Sequence, residues 1–511
     1  MRRIIVFLGL MLFFLSSFVF ARDDIREQFK NNAAIIYTIN IRNFAAIDND
    51  SNGLIEVEKS DKIGTFVAAK EKLNSLKLEG INTIYLLPIT PSGKLKALGT
   101  AGSLYAMDDF EKISPELDEP NNNKTVYEEA REFVEQAHKL GMNVILDLPS
   151  CGSYDLTLKK PNWFILNKDD EAITPADWTD VRLFKIYDKD RGLYQETLNN
   201  FKKFADMAIS LGFDGIRADV AAIKPPHFWK EVIKYSRSKN KNFLFLAEAN
   251  LEWGNPAPSG VSYYSSVNEL LNAGFDSFYA TWSDFKAVKS KEVFDNRITN
   301  MQSVLKRNRT KSTISALATH DQQAPILRGE NYWNTVLWLN ATLPSNLYFL
   351  DGFSVGDDYI YPYERKKAEK TYTDDEYYFV HSGMFDIFNY TAPVREKNPS
   401  LKSNYLKAID FRLRNQDLIS KGKFKLLKTE NEKVIAYSIT DSDRELIVLA
   451  SLDDSNKQKA AVKSRYLKKD NLFSMVHTKN YPQMNQDMIQ VELEPLEIQV
   501  YMISLANSRA M

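Results

Sequence analysis

The sequence predicts an α/β protein: a closed eight-stranded parallel (β/α)8 barrel followed by a small all-β domain. Three observations carry this expectation. Apolar runs such as Ile81–Ile89 (INTIYLLPI) and Asn143–Pro149 (NVILDLP) are continuous, not alternating, as in strands buried on both faces of a helix-covered parallel sheet. Helical patterns alternate with these runs, and eight strand candidates follow Ala34, the number that closes a barrel. Beyond Phe411 the helices stop, and short strand-like segments are joined by polar turns.

The chain has 511 residues, 44% of them hydrophobic, with only 20 Gly and 18 Pro, so it is globular and long enough for two or three domains with large cores. With 66 basic and 67 acidic residues the formal net charge is −1, which argues against nucleic acid as a partner and against attachment to a membrane by charge alone. An uncharged substrate fits. The amino terminus reads Met1-Arg2-Arg3, an apolar run from Ile4 to Phe20, and Ala21 before Arg22. This is the pattern of a secretory signal peptide over residues 1–21, so a periplasmic or secreted protein beginning near Arg22 is expected, as amino-terminal sequencing would check. An uncleaved anchor is the alternative, and no later segment is apolar enough to span a membrane. The single cysteine, Cys151, leaves no internal disulfide, so stability must come from the core. Nothing in the sequence fixes an oligomeric state.

In order, Ala34–Ala45 reads as the first strand, Ile81–Ile89 as the second and Asn143–Pro149 as the third. The helices Thr65–Leu78 and Thr125–Leu140 lie between them, stopped by Gly80 and Gly141. Residues 152–192 break the rhythm, and so long an irregular stretch is read as a functional excursion after the third strand. The alternation resumes with helix Leu193–Leu211, a strand to Asp219, helix Pro226–Ser238 and strand Phe243–Glu248. The strands Gly274–Ala280, Ser312–Asp321 and Asn346–Gly352 complete the count. The barrel is expected over residues 22–415 and the terminal β domain over 416–511.

The stretch Leu211–Val220 (LGFDGIRADV) gives the first sign of chemistry. Gly212 stops a helix, Asp214-Gly215 makes a tight turn, and the following strand points Arg217 and Asp219 to one side. Alone, such a pair is more often a buried structural ion pair or a solvated edge. The run FLFLAE brings Glu248 to another strand end, however, and SALATHD brings His320 and Asp321 to a third. Three strand-terminal carboxylates point to one site at the carboxyl end of the barrel. Cys151 has no base placed near it and reads as a small buried thiol.

In the order and spacing of IYTINIRNFA, GFDGIRADV, FLAEAN, ATHDQQ and FRLRNQDLISKGKF, the chain resembles the α-amylase superfamily (glycoside hydrolase family 13) of retaining glycosidases and transglycosidases. That resemblance implies a TIM barrel with a loop domain inserted after strand 3 and a carboxy-terminal β-sandwich, acting on an α-glucan or oligosaccharide. It also implies Asp219 as nucleophile, Glu248 as general acid/base and Asp321 as the third carboxylate, with Arg217, His320 and Tyr105 binding around the sugar. Arg217 is expected to lower the proton affinity of Asp219 while crowding raises that of Glu248. The sequence departs from the family in strand 3, where Asp147-Leu148-Pro149-Ser150-Cys151-Gly152 lacks the usual Asn and His, and at Tyr105-Ala106, where Tyr-Asp is usual. These departures put ordinary starch hydrolysis in doubt. A subgroup transferring maltosyl units from maltose 1-phosphate has a similar strand 3 and a segment similar to Ile223–Ile233 (IKPPHFWKEVI), and a barrel that binds carbohydrate without turnover is a further alternative.

The loop Asp48–Glu58 (DNDSNGLIEVE) places oxygen groups at alternate positions around Gly53, but Lys59 stands where an EF-hand needs its closing Glu. Similarity to oligosaccharide glucosidases implies a structural Ca2+ held by Asp48, Asp50, Asn52, Glu56 and the carbonyl of Leu54. An ordinary Asx-rich turn is the alternative.

Overall fold

The computed structural model describes residues 22–175, 178–190, 192–252, 263–280, 285–358, 386–393, 398–468 and 471–505. The expected signal peptide, residues 1–21, lies outside the described residues. Eight parallel strands form one sheet: β1 (Ile35–Ile39), β2 (Thr83–Leu86), β3 (Asn143–Leu148), β4 (Gly215–Ala218), β5 (Leu244–Ala247), β6 (Ser277–Phe278), β7 (Ser312–Thr313) and β8 (Leu347–Leu350). Their order is β7-β6-β5-β4-β3-β2-β1-β8, and a parallel bridge from Ile314 to Asn346 joins its two ends, so the sheet closes as predicted. Every residue of the eight strands is buried, which is why the apolar runs are continuous.

Closure is reinforced by one side chain. Asn346 donates through Nδ2 to the carbonyls of Phe29 (3.0 Å) and Thr313 (3.1 Å) and accepts from the Ala34 N–H (2.9 Å). It thereby ties the start of β1 to the end of β7. Helix Val126–Lys139 starts with a Thr125/Glu128 capping box and turns Ala130, Phe133, Val134 and Ala137 inward. Helix Gln195–Ser210 ends before Gly212, whose φ of +90° is the left-handed stop the sequence signals.

Three elements differ from expectation. The first strand ends at Ile39, and Ile41–Phe44 form a short helix in place of its second half, because β2 supplies ladder partners only as far as Leu86, opposite Ile39. Strands β6 and β7 shrink to two residues each, since only Ser277 with Ser312 and Phe278 with Thr313 are in register before the chain leaves for the loops. The excursion after β3 contains a short helix, Tyr154–Lys159, and a three-stranded sheet of Ala106–Met107, Cys151–Gly152 and Arg182–Leu183. One of those strands comes from the loop after β2, so the excursion is not built from its own residues alone. Cys151 packs there with Ala106, Val181, Leu183 and Ile223, and burial pushes its thiol up to about 12, consistent with the inert buried thiol expected.

Helices Pro399–Arg414 and Gln416–Lys421 lead into the terminal β region. It holds a five-stranded antiparallel sheet ordered Lys423–Leu426, Val434–Thr440, Arg444–Ser451, Ile498–Ser504, Leu472–Ser474. A three-stranded sheet of Gln458–Lys463, Met488–Leu493 and Gln483–Asn485 completes it. Polar contacts fix it to the barrel: Tyr437 Oη meets Thr342 Oγ1 at 2.7 Å, and Thr335 Oγ1 donates to the Leu496 carbonyl at 2.7 Å. Among the described residues no helix is long and apolar enough to cross a membrane.

Candidate active site

The carboxyl ends of β3, β4 and β5 place their charges on one another. Asp147 near the end of β3 is in register with Arg217 of β4, so the two side chains emerge side by side. Arg217 Nη1 donates to Asp147 Oδ1 (2.9 Å) and Oδ2 (3.1 Å) and to Asp219 Oδ1 (3.0 Å). Its Nη2 lies 2.8 Å from Glu248 Oε1, an ion pair without the alignment of a hydrogen bond. Nε donates to Tyr279 Oη at 3.1 Å. One fully buried guanidinium thus gathers three carboxyl groups from three adjacent strands.

The loop after β4 orients Glu248. Val220 has φ +36° and ψ +52°, an unusual left-handed conformation for a β-branched residue. That twist turns its N–H to Glu248 Oε2 at 2.6 Å. Strain of this kind persists only where surrounding contacts enforce it. Asp219 is held from the other side by Ser150, whose N–H donates to Oδ2 at 3.1 Å and whose hydroxyl donates to the Asp219 carbonyl.

Burial raises the proton affinity of Glu248 well above the ordinary carboxylate range; Arg217 pulls it down, while Asp219 and Asp321 push it further up. Asp219 corrects an expectation: its carboxyl is raised as well, by burial first and by Asp147, against the pull of Arg217 and Lys224. The two groups therefore separate in degree and not in direction. Burial is the first cause for both, and the crowding of three carboxyl groups around one guanidinium adds to it. Burial, Asp219 and Asp321 together favour the protonated form of Glu248.

Tyr105, His320 and Asp321 line the rim. Tyr105 Oη contacts Asp147 Oδ2 and His320 Nε2, both at 2.8 Å, and its ring stacks on His320 with centroids 5.7 Å apart. Asp321 leaves 54% of its side chain exposed, with Oδ1 3.5 Å from His320 Nε2. His320 Nδ1 is buried with no hydrogen-bond partner among the described residues, an orphaned polar atom at the edge of the carboxylate cluster. All six residues that the sequence nominated for catalysis and substrate binding meet here.

Sequence reasoning missed Asp147, Tyr85 and Tyr279. Asp147, completely buried, also accepts from Tyr85 Oη at 2.6 Å. Its signal was a lone charge inside the apolar run NVILDLP. The absent strand-3 His has a steric reason: a Cβ on Gly152 would come within 2.8 Å of Phe164 and Phe184, so aromatic rings fill that space.

The oxygen-rich loop folds differently from its expected ligand set. Carboxylate oxygens of Asp48, Asp50 and Asp61 lie within 4.8 Å of one another, and Asp61 was not among the residues the loop pattern offered. The bridge between Ile47 and Lys62 carries Asp61 to the loop. Asn52 instead donates through Nδ2 to Asp50 (3.0 Å) and Glu56 (2.9 Å), Glu56 pairs with Lys59 at 2.6 Å, and Leu54 forms a bridge with Thr391. Asp48 Oδ1 is buried without a hydrogen-bond partner among the described residues, while Oδ2 accepts the Gly53 N–H at 2.8 Å.

No family model matches the chain. Over 485 residues it is 22% identical to α-amylase 3 of Dictyoglomus thermophilum, covering 86% of this chain and 89% of that protein. α-1,4-Glucan:maltose-1-phosphate maltosyltransferase 1 of Streptomyces coelicolor is 24% identical over 427 residues, covering 78% of this chain and 57% of the transferase, so the chain spans little more than half of that relative. Among solved structures, an α-amylase from Lactobacillus plantarum aligns with a TM-score of 0.64 at 20% identity, covering 93% of this chain and 100% of that one. AmyP in complex with maltose aligns with a TM-score of 0.64 at 17% identity, covering 96% and 99%. These structural likenesses carry the fold.

Proposed function

The chain belongs to the α-amylase family, and from that premise we propose that it is a retaining glycosidase or transglycosidase acting on α-glucosidic bonds of oligo- or polysaccharides. The observation that carries this reading is the placement of Asp219 and Glu248 on the two Nη atoms of one guanidinium, 3.0 and 2.8 Å away. A retaining mechanism needs carboxyl groups within roughly 5 Å, one charged and one protonated. Asp219 attacks the anomeric carbon as the bond to the leaving oxygen breaks, and Glu248 gives that oxygen its proton. Glu248 then takes a proton from water or a sugar hydroxyl, whose oxygen displaces Asp219. Tyr105, His320 and Asp321 line the rim where the sugar hydroxyls bind.

Two displacements at one carbon return the starting configuration, so the first product from an α-linked substrate is expected to be the α-anomer by proton NMR. Glu248→Gln should cripple natural substrates by roughly 10²–10⁴-fold while largely sparing glycosyl-enzyme formation from donors whose leaving group departs unaided. A β-anomer appearing first would remove Asp219 from the nucleophile's role.

One feature favours transfer from an anionic donor as a second reading. Beside Ser150 lies a cavity of about 420 Å³ lined by Lys185, Lys224 and Tyr187. Two basic residues in its lining suit a leaving group that carries charge, such as a sugar phosphate. Comparing turnover of maltooligosaccharides with that of maltose 1-phosphate separates the two.

We further propose a structural calcium at Asp48, Asp50 and Asp61. A hard cation bound at 2.3–2.6 Å needs oxygens no more than about 5 Å apart, and the unpartnered Asp48 Oδ1 is available to it. Chelation and Asp61→Ala are each expected to lower the melting temperature by a few degrees, non-additively, because the ion stabilises only the folded state. If neither moves it, the loop is an Asx turn alone.

A further inference from the structure

Charge in the buried site does not balance on Arg217 alone. Asp147, Asp219 and Glu248 share that one guanidinium, and burial pushes Asp219 toward its neutral form. A second cation stands behind Asp219. Lys224, in the loop after β4, is only 1% exposed, and its Nζ donates to the Ser150 carbonyl at 2.9 Å. The rings of Phe201 and Trp229 lie 4.9 and 6.0 Å from the ammonium, and no carboxylate forms an ion pair with it among the described residues. An ammonium taken out of water costs several kcal/mol unless something compensates it, so a lysine needed only for packing would be replaceable by an apolar residue. Ser150, to which it is tethered, is the residue that grips Asp219 by both its carboxylate and its carbonyl.

We propose that Lys224 is a positioning residue for the nucleophile: through Ser150 it fixes the turn that holds Asp219, and its ammonium supplies the second positive charge that keeps Asp219 ionised while Glu248 stays protonated. This rests on the retaining-glycosidase reading. Two buried cations, Arg217 and Lys224, then stand against the carboxyl cluster that contains Asp219 and Glu248. The ionisable groups facing the ammonium are Asp219 and the Cys151 thiol, and Lys185 lines the same cavity. Burial brings Lys224 down to about 8, so it still carries its charge at neutral pH.

Lys224→Gln and Lys224→Met in the full chain test the assignment, since Gln can keep the hydrogen bond to Ser150 without the charge. Two quantities are read: the titration of the Asp219 carboxyl by ¹³C NMR, its signal identified by its loss in Asp219→Asn, and the pH profile of kcat/KM on an aryl α-glucoside. In both variants the Asp219 midpoint and the acid limb of kcat/KM are expected to move up by roughly half a unit or more, with KM little changed. A Gln variant that matches wild type in the carboxyl titration overturns the proposal and leaves Lys224 a structural hydrogen-bond donor. If the Met variant fails to fold, the Gln variant decides alone. Absence of wild-type turnover on α-glucosides would count against the glycosidase reading, and the carboxyl titration would still decide the role of Lys224.

Discussion

Asp219→Asn is expected to lower turnover by roughly 10⁴-fold or more while leaving the melting temperature nearly unchanged. The substitution is isosteric; it removes the attacking charge and exchanges one of two acceptor oxygens for an NH2, a loss offset by the easier burial of a neutral group. Its neighbours support the stability half of the expectation. The Ser150 N–H can still donate to the amide oxygen, and the Ser150 hydroxyl bonds to the Asp219 backbone carbonyl, which does not change. Arg217 keeps its two-pronged contact with Asp147 and its contact with Glu248. Steady-state kinetics with a thermal melt checks both halves, and residual turnover above about 1% of wild type would mean that another group attacks the sugar.

The second large effect is on stability. Arg217→Met keeps much of the side-chain volume but leaves three buried carboxyl groups without their shared cation, a change expected to cost about 3–5 kcal/mol. Urea denaturation measures it, and a loss below about 1 kcal/mol would show that the guanidinium is not the keystone of the cluster. The pH dependence has a definite sign. Burial already raises Glu248 above its ordinary value of 4.5, and Arg217 works against that rise. A group whose affinity for protons is raised by folding stabilises the fold fully below its unfolded value, and that contribution is lost as pH rises through the folded value. Without Arg217 the rise is larger, so the variant should fall furthest behind wild type at neutral and alkaline pH and least in acid.

The barrel was legible because burial on both faces writes itself into a strand as an unbroken apolar run, as in β3 and β5. Where only two residues pair, in β6 and β7, the flanking loops are apolar too, and sequence cannot mark where the ladder stops. Asp219 and Glu248 were legible because a charge closing an apolar strand is conspicuous; Asp321 lies in the loop well beyond β7, not at the strand end expected for it, and was legible only because its order matched a family. Asp147 was harder, being a charge within the strand whose partners Tyr85, Tyr105 and Arg217 come from distant segments. Lys224 and Asp61 left no signal of their own. Lysines and aspartates in loops are ordinary, and what sets these two apart is only what the fold brings against them: the Ser150 carbonyl for Lys224, and Asp48 with Asp50 for Asp61.

The closure of the barrel also has a consequence for how the chain is made. Strand β1 leaves the ribosome early, yet one of its two ladder partners is β8, with Ile35 opposite Leu347 and Thr38 opposite Leu350. The Asn346 side chain that ties β1 to β7 arrives just ahead of that last strand. At synthesis rates of about 5–20 residues per second, the roughly 300 residues between them keep one edge of β1 unpaired for about 15–60 s. For all that time a fully apolar strand presents an open row of backbone donors and acceptors, the kind of surface that invites pairing with another chain. Completion of the barrel therefore waits for the end of translation of this domain, and the nascent chain depends on being kept apart from its neighbours until residue 350 has emerged.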